Sequence, residues 1–102
     1  MHFERTTWND FRFKELTTLL DQELRSNYGE LQNQYDKSNI INEKSYVVLC
    51  LKNGKAIACG CIREMKDKST VELKRMFTIE EERGKGLGKI IVEELEKWAF
   101  EL

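Results

Sequence analysis

The strongest chemical signal in the chain is the stretch Arg83-Gly84-Lys85-Gly86-Leu87-Gly88-Lys89, where three glycines alternate with long side chains. It follows a strand-like run and opens an amphipathic helix. Glycine has no Cβ, so backbone N–H groups at such positions can approach a ligand closely and adopt positive φ. A helix that begins there offers unpaired N–H groups and the positive end of its dipole, a combination suited to a phosphate or pyrophosphate. Arg83, Lys85 and Lys89 add positive charge, and each would serve equally as a solvated surface residue. Taken alone, the glycines also fit a simple flexible turn. A P-loop NTPase is excluded, because Lys89 is followed by Ile90 and no hydroxyl is available for magnesium. A dinucleotide fold needs Gly-x-Gly-x-x-Gly within a βαβ unit, whereas the spacing here is Gly-x-Gly-x-Gly with no strand to follow.

Cysteine is the other reactive residue type. Three cysteines, an odd number, argue against a disulfide framework. Cys59 and Cys61 would share one face of a strand, but no second cysteine pair or nearby histidine completes a metal site, and none is expected. All three read as small buried hydrophobes. The only histidine, His2, lies at a terminus expected to be mobile.

The chain has 102 residues, 40% hydrophobic and 34% charged, with a net charge of −1. One domain over residues 1–102, able to bury a core without staples, is the natural reading. The charge balance provides no basic field for nucleic acid or an anionic membrane. No apolar run approaches the roughly 20 residues that span a bilayer, and the N-terminus lacks a signal-peptide core. A cytoplasmic protein is expected.

The elements that must position the loop follow from periodicity. Residues 9–27 predict a helix with Phe13, Leu16, Leu20 and Leu24 on one stripe, Leu19 widening it, and Asn9 or Asp10 as cap. Residues 30–37 predict a shorter, polar helix, and 38–43 a loop. The run 45–51 reads as a strand covered on both faces. Asn53-Gly54 then calls for a tight hairpin, a return strand from Lys55 to Arg63 or Met65, a turn over 67–69 and a third strand over 70–79. The last helix runs from Gly86 or Leu87 to Phe100, with Leu87, Ile90, Ile91, Leu95 and Trp98 as its apolar stripe. Glu80, Glu81 and Glu82 place negative charge just before the loop, which would oppose an anionic ligand.

The order helix, helix, hairpin, third strand, then Arg-x-x-Gly-x-Gly at Arg83, Gly86 and Gly88 resembles the GCN5-related N-acetyltransferases, the GNAT family. The resemblance extends to Glu72 through Thr78, to Asp21-Gln22-Glu23-Leu24 and Tyr28-Gly29-Glu30, to Asn39, and to Glu94 through Ala99, about residues 12–100 in all. It implies an α+β fold: a three-stranded antiparallel meander with two N-terminal helices and a C-terminal cofactor-binding helix, without the family's usual C-terminal strands. Thr78, Glu80 and Glu82 depart from the residues usual there.

What the resemblance implies for function is an N-acetyltransferase using acetyl-CoA and no metal to acetylate an amine of a small molecule or amino acid. Main-chain groups near Phe77, Thr78 and Ile79 would pair with the pantetheine arm. The N–H groups from Arg83, Gly84, Lys85, Gly86, Leu87, Gly88 and Lys89 would hold the pyrophosphate, and an N–H near Phe77 or Thr78 would meet the oxyanion. Glu72 is the candidate base; the competing reading makes it a solvent-facing residue paired with Lys74 or Arg63. The family's usual acid tyrosine is missing, since Tyr28, Tyr35 and Tyr46 lie in other segments. A shortened C-terminus would leave an open sheet edge and weak or no turnover. The alternative is a non-catalytic CoA-binding or interaction module that forms a homodimer through that edge.

Overall fold

The computed structural model describes residues 1–28, 45–64 and 71–102. Its elements are β1 (His2–Thr7), α1 (Phe11–Tyr28), β2 (Ser45–Lys52), β3 (Lys55–Glu64), β4 (Val71–Thr78), a 3₁₀ turn (Glu80–Glu82) and α2 (Leu87–Glu101). The strands form one antiparallel sheet in the order β1-β2-β3-β4, with α1 packed on one face and α2 on the other.

The α+β meander expected from the sequence is present, with one strand more than expected. β1 pairs with β2 from His2↔Leu51 to Thr7↔Tyr46, so the terminus holding His2 is part of the sheet. The strand carries little apolar signal in the sequence at its inward positions. Phe3 and Arg5 face α2, and Arg5 meets that helix by ion pairs to Glu94 and Glu101 rather than by burial of a hydrophobe. The expected polar helix at 30–37, the loop at 38–43 and the turn at 67–69 lie outside the described residues.

Each face of the sheet has its own core. On the α1 side, Phe13 and Leu16 pack on Val47, Leu49, Leu51, Cys59 and Cys61. Asp10 caps this helix: its Oδ1 accepts from the Arg12 N–H at 2.9 Å, and its Oδ2 from the Thr6 hydroxyl at 2.8 Å. On the α2 side, Leu87, Ile91 and Leu95 pack on Val48, Cys50, Ala58 and Ile62. Their i,i+4 spacing draws a narrower stripe than expected, and Ile90 is exposed. Burying each such side chain stabilises the fold by about 1.5–3 kcal/mol.

Asn53 and Gly54 both take positive φ, 52° and 81°, as the hairpin demands. Two irregularities interrupt the ladders. Ile57 and Ala58 both face α2, opposite the register shift at Cys50/Leu51. In β4, Cys59 pairs with Phe77 and Cys61 with Lys74, so one strand residue is extra. Arg75 sits in that bulge with φ 56°.

Candidate active site

Gly84 and Gly86 adopt φ of 84° and 77°, and Gly86 is the N-cap of α2 without any side-chain cap. The first helical bond runs from the Ile90 N–H to the Gly86 carbonyl. The N–H groups of Leu87, Gly88 and Lys89 therefore have no acceptor within the helix. A Cβ built on Gly88 meets nothing within 4 Å, so a ligand can approach the backbone there.

The three glutamates before the loop do not act alike. Glu82 is buried, with its carboxylate 3.1 Å from Lys52 Nζ and 2.5 Å from Lys85 Nζ. The hydrogen bond from Lys85, then that from Lys52, holds its carboxyl below the usual carboxylate range. The Glu82 part of the charge expected to oppose an anion is thus outnumbered two to one, Glu80 and Glu81 remain exposed, and the loop is tied through Glu82 to the end of β2. The i,i+3 spacing of Glu82 and Lys85 was visible in the sequence; Lys52 was not.

β4 has no neighbouring strand on its outer side among the described residues. The Ile79 N–H donates to the Ile57 carbonyl at 2.9 Å, and the Phe77 N–H faces the Cys59 thiol. The main-chain N–H groups of Phe77 and Ile79 are therefore taken up inside the sheet, and Thr78 is the one of the three that faces outward. At the bulge, the Lys74 carbonyl accepts from the Cys61 thiol at 3.3 Å and the Arg75 carbonyl from the Cys59 thiol at 3.4 Å. Both carbonyls point toward β3. Because a trans peptide sets N–H opposite C=O, the N–H groups of Arg75 and Met76 both point to the open edge. A regular strand would alternate them. The bulge thus leaves two successive N–H groups, those of Arg75 and Met76, on the open edge, a feature that residue spacing could not signal.

The Arg75 side chain pins the bulge to α1, donating to Asp21 Oδ1 at 2.7 Å and to the Thr17 carbonyl at 3.3 Å. Burial pushes the thiols of Cys59 and Cys61 up to about 12. Among the described residues no three His, Cys, Asp or Glu side chains could hold a metal.

Arg83 crosses the open edge. Its Nε donates to the outward Thr78 carbonyl at 2.8 Å, its Nη2 to Glu23 Oε2 at 2.8 Å, and its guanidinium lies 5.6 Å from the centre of the Phe77 ring. It forms one wall of a cleft of about 700 Å³ beneath α1. Leu16, Leu19, Ala56, Phe77 and Ile79 supply the apolar lining, and Glu15, Glu23, Glu80 and Glu81 the carboxylates. Glu72 lies outside this cleft, half-buried, with Oε1 3.7 Å from Lys74 Nζ. Of the tyrosines, Tyr46 packs edge-on against Trp98 at 5.2 Å on the α2 side, the side chain of Tyr28 is not described, and Tyr35 is outside the described residues. No helix of the described residues is long and apolar enough to cross a membrane.

The fold recurs among solved structures. A Klebsiella pneumoniae protein described as an acyl-CoA N-acyltransferase superposes with a TM-score of 0.73 at 23% identity, over 98% of this chain and 63% of that one. A Staphylococcus aureus protein described as a GNAT family acetyltransferase gives 0.72 at 16%, over 98% and 92%. An aminoglycoside 6′-N-acetyltransferase in complex with coenzyme A gives 0.73 at 17%, over 99% and 56%. The chain thus spans less than two thirds of the first and third of these relatives. None of the curated protein sequences matches it. The sequence pattern of the Acetyltransferase (GNAT) family matches residues 8–102. With the glycine loop at the head of α2 and the open, bulged strand beside it, that match makes this chain a member of the GNAT acetyltransferase family.

Proposed function

We propose that the chain binds acetyl-CoA along the open edge of β4 and acts as an N-acetyltransferase toward an amine of a small molecule or amino acid. The observation that carries this reading is the pair of outward N–H groups at Arg75 and Met76, on the strand that ends at the glycine loop. The residues fit the cosubstrate. The open space at Gly88 and the first-turn N–H groups of α2 suit the diphosphate, with Lys85 and Lys89 adding charge. Outward main-chain groups at Thr78 suit a pantetheine amide.

Bound acetyl-CoA supplies an activated acetyl thioester. The N–H groups of Arg75 and Met76 are placed to donate to the oxygen on which negative charge develops. Glu72 is three residues before this pair, about 10 Å along the strand, so its role as base runs through water. The amine nitrogen forms the new C–N bond, the C–S bond breaks, the thiolate departs, and the amine proton passes toward Glu72.

Titration with acetyl-CoA followed by backbone amide NMR tests the reading. Shifts centred on Arg75, Met76, Thr78 and Gly84 through Lys89 are expected, with CoA release once a suitable amine is added. No shift at millimolar ligand would overturn it. The edge of β4, unpaired among the described residues, favours a second reading, a homodimer that completes its sheet across that edge. A concentration-dependent mass in sedimentation, with no CoA release, would favour that reading.

A further inference from the structure

The interactions of Arg83 are all internal: the Thr78 carbonyl, the Glu23 carboxylate and the Phe77 ring. Yet this residue opens the glycine loop, within a few residues of the unpaired N–H groups of α2. A diphosphate seated there carries more charge than one carboxylate and matches the guanidinium fork at least as well. It would compete for Arg83 against Glu23, whose contact is at the surface and correspondingly weak.

Departure of Arg83 changes the cleft. Glu23 is left without its ion pair on a wall that already carries Glu15, Glu80 and Glu81, none of which makes an ion-pair contact among the described residues. The lining cations do not compensate. Arg12 is already held by Asp10 and Glu4, which among the described lining residues leaves only Lys55 as a cation beside the four carboxylates. Leu16, Leu19 and Phe77 supply an apolar floor for a short hydrocarbon segment.

We propose that Glu23 binds an ammonium group of the acceptor, and that Arg83 masks it until a diphosphate draws the guanidinium away. The proposal rests on the acetyltransferase reading and names the substrate class. An amine held by a carboxylate stays protonated and cannot attack a thioester, so the ammonium at Glu23 is not the one that reacts. The acceptor is therefore a compound with at least two amines joined by an apolar segment. Release of Arg83 also frees the Thr78 carbonyl, so the edge and the cleft open together.

The test uses 1,5-diaminopentane and, as its counterpart without an ammonium, n-pentanol, with binding followed by NMR. The wild-type protein is expected to bind the diamine about fivefold or more tightly with CoA present than without it. Glu23→Gln should bind CoA as well as the wild type or better, since Arg83 is no longer restrained. It should lose about tenfold in diamine affinity with CoA present and leave the affinity for n-pentanol unchanged. Loss of CoA and diamine affinity together, or unchanged diamine affinity, overturns the proposal. Arg83→Ala separates the two readings because it needs no cosubstrate: it should raise diamine affinity about fivefold in the absence of CoA, and no gain overturns the proposal. Failure of wild type and Glu23→Gln alike to bind CoA would overturn the acetyltransferase reading instead.

Discussion

Gly60 lies directly beneath Met76. A Cβ built on residue 60 would come within 2.3 Å of Met76 Sδ and 2.9 Å of Ile91 Cγ2. The glycine is required by packing, not by backbone conformation: it lets Met76 descend onto β3 immediately after the bulge at Arg75. Gly60→Ala should overpack this point and cost about 1–3 kcal/mol, read as a lower Tm. Met76 is flexible but Ile91 is fixed on α2, so the double variant Gly60→Ala with Met76→Ala should recover only part of the loss. Full additivity of the two substitutions would show that the contact does not couple them.

The carboxylates held below their ordinary values fix the direction of acid sensitivity. Asp10, whose ordinary value is 3.8, is held low mainly by Arg12, and Glu82, ordinarily 4.5, mainly by Lys85. A depressed folded value means that the contribution is complete above the unfolded value and is lost as pH falls below it. Stability should therefore be flat from neutral pH to about 5 and fall progressively below about 4. Asp10→Ala should remove part of this acid dependence and cost about 1 kcal/mol through the lost cap. An unchanged acid midpoint in chemical denaturation would show that this cap does not contribute.

The thiols give a direct test of the core. Cys59 and Cys61 are fully buried, with values pushed up to about 12 by burial. At pH 8 neither should react with a thiol reagent in the folded protein, and both should react once it is unfolded. Rapid labelling of either thiol in the native state would show that α1 lifts from the sheet more often than this packing allows.

Much of this architecture was legible because it is local. Asn53-Gly54 dictated a turn, the run from 45 to 51 dictated a doubly covered strand, and Leu87, Ile91 and Leu95 dictated the face of α2. β1 was not legible because its tie to α2 is an arginine with two acids and Trp98, which reads as surface. The bulge was not legible because it depends on how β3 and β4 pair across the sheet. That single extra residue decides which N–H groups face outward. The partners of Glu82 and Arg83 come from β2 and α1, distant in sequence, so the loop could be recognised while its charge state could not.

Arg5 supplies the clearest case of a tie invisible to hydrophobic patterning. Its Nε donates to Glu94 at 2.9 Å, its terminal nitrogens to Glu101, and its guanidinium lies 5.1 Å from the Trp98 ring centre. Arg5→Ala should loosen β1 from the end of α2, with a modest fall in Tm that is larger at low salt than at high salt. Tryptophan emission should shift to longer wavelength as Trp98 gains water. If Tm and emission both stay at their wild-type values, β1 is held by its ladder to β2 alone.

Gly88 separates cosubstrate binding from folding. It lies in the first turn of α2, its φ is not positive, and a Cβ there meets nothing within 4 Å. Folding alone therefore gives no reason for glycine, and alanine is the better helix former by about 1 kcal/mol. Gly88→Ala should fold normally and be equally or more stable. Affinity for acetyl-CoA should nevertheless fall, because the added methyl occupies the space through which a diphosphate reaches the N–H groups of Leu87, Gly88 and Lys89. Gly86→Ala behaves differently: its φ of 77° makes any side chain strained, so stability and affinity should fall together. Wild-type acetyl-CoA affinity in Gly88→Ala, measured by calorimetry, would place the diphosphate elsewhere than on the head of α2.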